Sequence, residues 1–252
     1  MLSTKTTIFP KLENVEVISD DDINWQDIYR KQQPVLLKGI NRKWPACLKW
    51  KDFHYLKEKV KKSSSNEPVI VPVEFGDHYM HESLEILYLD FIELLDFFDK
   101  KDNRSGPKLY LAQFDVNEIP GLVQDLQIPA ITKTGSLYRT NIWLGGHTGS
   151  HSPCHYDPFN NILCQIYGQK KVILFPQSSN QYLYLHDSHH KQKNTSRIDF
   201  RNPDNDKFPN FKNAPSGLLA NLEPTDALFI PLKWFHYCET KTSSCSVNYW
   251  FI

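Results

Sequence analysis

Apolar residues change their spacing about a hundred residues into this chain. Before that point the pattern is mostly helical. Asp20, Asp21 and Asp22 can cap a short helix reaching about residue 31, since acidic side chains satisfy the free N–H groups of a helix N-terminus. Residues 34–39, PVLLKG, read as a short buried strand that ends at Gly39. Trp50, Phe53, Leu56 and Val60 then recur at helical spacing, and 61–66 is a polar break. Residues 69–74, VIVPVE, read as a strand whose Pro72 points to an edge or a bulge. Leu87, Phe91, Leu94, Leu95 and Phe98 mark an amphipathic helix over 84–100, with its apolar stripe assigned to the core.

Beyond residue 108 the pattern turns to short apolar runs between turn residues, predicting strands over 108–114, 138–145, 162–167, 170–175, 227–232 and 245–252. Gly168 and Gln169 form a two-residue hairpin signal between two of these runs. The stretch 188–214 is rich in Asn, Asp, Lys and Pro and has no period, which predicts a long surface loop. The fold class is therefore α+β. An extended N-terminal segment with a short helix (1–33) precedes a domain over 34–252, whose C-terminal part is a β-sandwich or barrel.

Composition narrows the partners. Lys+Arg and Asp+Glu are 29 each, so no general electrostatic attraction to nucleic acid or anionic membrane is expected. The basic runs over 57–62 and 189–201 read as solvated faces. Five Cys without a Cys-x-x-Cys pair argue against a disulfide framework and a thiolate zinc site. No apolar run opens the chain or approaches the length of a bilayer. A soluble intracellular monomer is expected, with nucleus and cytoplasm not distinguished.

The chemistry centres on 141–175. His155 and Asp157 stand one residue apart, and on a strand side chains at i and i+2 share a face. That presents two ligands of a facial metal triad, whose remaining positions stay open. His236, between aromatic residues in ALFIPLKWFHYCE, can supply the third ligand. On spacing alone, His147 and His151 also stand as possible ligands, and His236 as a hydrogen-bonded core residue.

The runs at 110–113, 141–143, 152–158 (SPCHYDP), Asn161, 168–170, 183–186 and 230–236 together resemble the JmjC (jumonji C) oxygenases. The similarity runs from about Pro34 to the C-terminus and is closest to the small hydroxylase-like branch containing jumonji-domain protein five. The resemblance implies a double-stranded β-helix, or cupin-type jelly roll, holding Fe(II) through His155, Asp157 and His236. It also implies 2-oxoglutarate as co-substrate and O2 as oxidant. Lys170 would hold the distal carboxylate, Tyr110, Ser152 and Asn161 would donate hydrogen bonds, and Asn248 would face the pocket. Because a strand alternates, only one of Lys170 and Lys171 can point inward. Trp143 and Glu74 match substrate-side positions, and Glu74 could face a cationic side chain. The last strand is followed by no further helices or zinc module, which favours a compact hydroxylase. The reaction implied is hydroxylation of a protein side chain, Arg first. Histone demethylation, tRNA-nucleoside hydroxylation and a non-enzymatic binding module stand as alternatives.

Overall fold

The computed structural model describes residues 8–19, 22–75, 85–100, 109–146 and 149–252. Six strands precede the jelly roll: β1 (Leu12–Asn14), β2 (Glu16–Ser19), β3 (Val35–Lys38), β4 (Ile70–Phe75), β5 (Glu85–Asp90) and β6 (Leu109–Asp115). Four helices lie among them: α1 (Trp25–Lys31), α2 (Pro45–Lys49), α3 (Phe53–Ser63) and α4 (Phe91–Asp99). The cap of α1 is Asn24, whose side chain accepts from the Asp27 N–H at 3.1 Å. Asp20 and Asp21, expected as the cap, lie outside the described residues. Trp50 is not part of the helix that holds Leu56 and Val60; it closes α2, and Asp52 caps α3. Leu87 is likewise not helical. It sits on β5 opposite Val73, and Asp90 caps α4 immediately afterwards.

Eight strands then divide between two sheets, alternating except that β10 and β11 are neighbours in one: β7 (Leu137–Gly145), β8 (His151–Tyr156), β9 (Asn160–Tyr167), β10 (Lys170–Phe175), β11 (Gly217–Leu222), β12 (Ala227–Ile230), β13 (Phe235–Thr240) and β14 (Ser244–Phe251). The five-stranded sheet runs β1-β11-β10-β13-β8 and the nine-stranded sheet β2-β3-β12-β9-β14-β7-β6-β4-β5. This is the double-stranded β-helix, extended at the N-terminal side by β1 in one sheet and β2 in the other.

Alternation along the strands sorts the residues into three cores. On β9, β12 and β14, Ile162, Cys164, Phe229, Val247 and Tyr249 face outward against the helices. Between the sheets, Leu163, Val172, Leu174, Leu228 and Ile230 close one end of the barrel. On the outer face of the five-stranded sheet, Ile173, Phe175, Phe235 and Tyr237 form a third core.

Two sequence expectations change here. Gly168 and Gln169 do not make a hairpin: β9 pairs with β12 and β14, while β10 pairs with β11 and β13. The turn instead carries the chain from one sheet to the other. The polar stretch 188–214 is not merely a surface loop. It buries Ile198, Phe200, Phe208 and Phe211 against the third core, with Phe200 and Phe211 centroids 5.3 Å apart. These apolar residues fit neither period, so the pattern hides them.

Candidate active site

The site is built where the two sheets diverge. On β13, Phe235 and Tyr237 pack into the outer core, so His236 between them points inward. Its register partner on the edge strand β8 is His155. The register slips between His236 and Cys238, where two residues of β8, Pro153 and Cys154, oppose Tyr237 alone on β13. A bulge of this kind reverses side-chain parity. Pro153 occupies it, and its missing N–H costs no ladder bond there. As a result Ser152 and His155, three residues apart, line the same cavity.

His155, Asp157 and His236 bring one ligand atom each within 4.8 Å of one another. The Nε2 atoms of His155 and His236 lie 3.8 and 3.6 Å from the two carboxylate oxygens of Asp157. Their Nδ1 atoms lie 2.7 Å from the Pro153 carbonyl and 3.1 Å from the Trp234 carbonyl. A carbonyl only accepts, so both Nδ1 atoms carry hydrogen and both Nε2 atoms face the carboxylate. This is the orientation that backbone acceptors impose on metal-binding imidazoles. Burial, and then His155 beside it, pull His236 down to about 4, so its ring is neutral at pH 7. Two imidazole nitrogens and one carboxylate can hold a divalent cation and leave one side of it open.

Lys170 opens β10 and is buried, whereas Lys171 is partly exposed and lies 3.7 Å from Glu239. Lys170 forms no ion pair or hydrogen bond among the described residues, and burial lowers its pKa. A buried, unpartnered ammonium is costly unless an anion joins it. His236 pairs with Leu174, four residues along β10 from Lys170. At about 3.3 Å per residue that is roughly 13 Å along the sheet. The lysine stem spans part of it and leaves the length of a small diacid.

The polar wall opposite is chained. Trp143 Nε1 donates to Asn248 Oδ1 at 2.7 Å, and Asn248 Nδ2 donates to Asn161 Oδ1 at 2.9 Å. Asn161 is thereby oriented with its own amide N–H groups free of that bond. Tyr110 packs against Trp143, ring centroids 6.2 Å apart. Nine of the ten residues to which the family resemblance gave a role line this one cavity of about 40 Å³.

Glu74 is the tenth and lies one strand out, paired with Tyr110. Burial pushes its carboxyl up to about 8, and one of its oxygens is buried without a hydrogen-bond partner.

Sequence reasoning missed Gln113, Leu163, Ile230, Cys238 and Trp250 on the same lining. Trp250 was findable, two residues beyond Asn248 on one face. Gln113 was not, since it adopts φ +49° in a bulge of β6 that no glycine marks. His151 lines a different cavity, on the far side of β8, and His147 lies outside the described residues. No described helix is long and apolar enough to cross a membrane.

A family model described as a cupin-like domain matches residues 21–252. The chain is 34% identical over 229 residues to Jumonji C domain-containing protein 5 of Drosophila melanogaster, covering 86% of this chain and 54% of that one. It is 34% identical over 224 residues to Lysine-specific demethylase 8 of Xenopus tropicalis, covering 87% and 48%. Over 240 residues it is 26% identical to tRNA wybutosine-synthesizing protein 5 of Gallus gallus, covering 88% and 71%. The chain thus spans about half the length of the first two relatives.

Proposed function

As this chain belongs to the JmjC proteins of the cupin-like-domain family, we propose that it is an Fe(II)- and 2-oxoglutarate-dependent oxygenase that hydroxylates a basic side chain of a protein, arginine first. The observation that carries the reading is the buried His155–Asp157–His236 cluster sharing one cavity with the unpartnered Lys170.

When bound, the metal and co-substrate supply the oxidising chemistry: 2-oxoglutarate loses carbon dioxide to become succinate, and one atom of O2 enters a C–H bond. The chain's part is placement. The two Nε2 lone pairs and the Asp157 carboxylate hold the cation on one side. Lys170 takes the distal carboxylate of the dianion, and Ser152, Tyr110 and Asn161 offer donors around it. The Trp143–Asn248–Asn161 chain keeps the Asn161 amide from turning. The apolar residues Leu163 and Ile230 keep water from the closed end.

Glu74 is the argument for a cationic substrate. A carboxyl held neutral by burial, with an oxygen lacking a partner, gains most from a cation placed beside it. A guanidinium answers with a planar pair of donors, which an ammonium does not.

The test incubates the full chain with Fe(II), 2-oxoglutarate and either a library of basic peptides or total tRNA, and reads products by mass spectrometry. The expected result is a gain of one oxygen, about 16 Da, on Arg-containing peptides with stoichiometric succinate. Loss of about 14 Da from methylated peptides would make it a demethylase. Oxidation of tRNA alone would overturn the protein-substrate reading.

A further inference from the structure

A second and larger cavity, about 540 Å³, lies on the reverse side of the strands that carry the histidine ligands. Strand alternation makes it so: His236 points into the barrel and Tyr237 points out of it. The floor is Tyr237, Pro153 and His151, and the roof is the segment from Thr195 to Lys207. That roof is fastened to the edge strand. Ser196 N donates to the Cys154 carbonyl at 2.7 Å, and Asn194 Nδ2 donates to the Tyr156 carbonyl at 2.7 Å. The cavity is therefore a built feature of the fold, within the size range of small-molecule sites.

Three observations point to its occupant. The Tyr237 side chain is 1% exposed, and its buried hydroxyl has no hydrogen-bond partner. An orphaned hydroxyl costs free energy unless a ligand or water answers it. Second, the lining carries Arg197, Arg201 and Lys207 against a single carboxylate, Asp199. Arg201 Nε lies 3.3 Å from Asp199, and the nearby Glu239 is taken by Lys171 and Lys241 at 3.7 and 3.1 Å. Lys207 forms no ion pair among the described residues; its ammonium lies 5.3 Å from the Phe208 ring centroid. Third, one wall is apolar and flat: Phe200 stacks on Tyr237 with centroids 5.5 Å apart.

We propose that this cavity is a binding site for a small organic oxyanion, its phosphoryl or carboxylate group seated on Tyr237 Oη and Lys207 Nζ and its apolar body lying along Phe200. The site is separate from the triad cavity and uses none of its residues.

The probes are phenyl phosphate and benzoate, with inorganic phosphate as the bare ion, titrated calorimetrically into the full chain. Saturable binding of one organic anion, tighter than inorganic phosphate, is expected. Whether phenyl phosphate or benzoate binds more tightly tells a phosphoryl ligand from a carboxylate ligand. Tyr237→Phe and Lys207→Met should each weaken binding by about tenfold, the worth of one hydrogen bond or charge contact. Lys170→Met should leave it unchanged. The proposal is overturned if neither organic anion saturates in the millimolar range. It is also overturned if both variants bind like wild type with unaltered melting temperatures, or if Lys170→Met abolishes binding, which would place the anion in the triad cavity. None of these readouts depends on turnover, so they stand or fall apart from the oxygenase reading.

Discussion

Glu74 shows how one residue links stability to substrate choice. Its carboxyl is raised to about 8 from an ordinary 4.5 because burial disfavours the charged form. The sign follows from proton uptake: between those two values the folded state holds more proton than the unfolded chain, so stability falls as pH rises through that window. Below about 4.5 both states are protonated and no penalty exists; above about 8 the full penalty is present. Glu74→Gln removes it. The variant should therefore gain stability relative to wild type from pH 4.5 to 8 and hold that gain above. The gain is on the order of 2 kcal/mol once the partly exposed edge of the side chain is discounted. Urea unfolding of both proteins at pH 5, 7 and 9 measures this, and a constant difference would mean that Glu74 is solvated. The same substitution should abolish any preference for Arg peptides, while the wild-type preference should strengthen from pH 6.5 to 8 as the carboxyl ionises.

At the scale of elements, the turn between β9 and β10 matters most, because it decides where Lys170 begins its strand. Gly168 takes φ +72°, and a Cβ there would lie 2.0 Å from the Ser243 carbonyl oxygen and 2.8 Å from the Ser244 Cα. Both obstacles are backbone and cannot swing aside. Gly168→Ala should cost roughly 3 kcal/mol or more, combining the left-handed backbone with the clash. Melting would register this as a drop of several degrees, whereas Gln169→Ala next to it should be nearly silent. The sequence showed that a turn stands here, but not that it crosses between sheets. Turn residues encode a local reversal, and which strands pair is decided by partners more than forty residues away. The same limit runs through the fold. Buried strands such as β9, β10, β12 and β14 were legible from their apolar runs, and β8 only through its His155-x-Asp157 spacing. β5 was misread as helix because Leu87 falls in phase with the α4 stripe. β11 and the Ile198–Phe211 packing carried no period at all. In the site, residues on regular strands could be located by alternation. Those placed by bulges, Ser152 against His155 and Gln113 on β6, obey a parity that the sequence does not display.

For the molecule as a whole, two of the three candidate ligands sit on neighbouring strands of one sheet, His236 on β13 and His155 on β8, and Asp157 follows directly after the end of β8. β8 is the edge of the five-stranded sheet, held on one side by β13 and on the other by isolated contacts from the 194–196 segment. A cation between His155, Asp157 and His236 would cross-link that edge to β13 and give the Asp157 carboxylate a cationic partner beside its two imidazole neighbours. Metal binding should then stabilise the entire domain through mass action, by about 2.7 kcal/mol at a hundredfold excess over Kd. For a chain of this size that is a rise in Tm of roughly 5–10 °C. Mn(II), which does not oxidise in air as Fe(II) does, serves as the probe under thermal denaturation, with hydrogen exchange locating the gain at β8 and β13. Asp157→Ala should abolish the shift. His151→Ala, on the far side of β8, should retain it. A shift that persists in Asp157→Ala or vanishes in His151→Ala would place the metal outside the barrel and remove the foundation of the oxygenase reading.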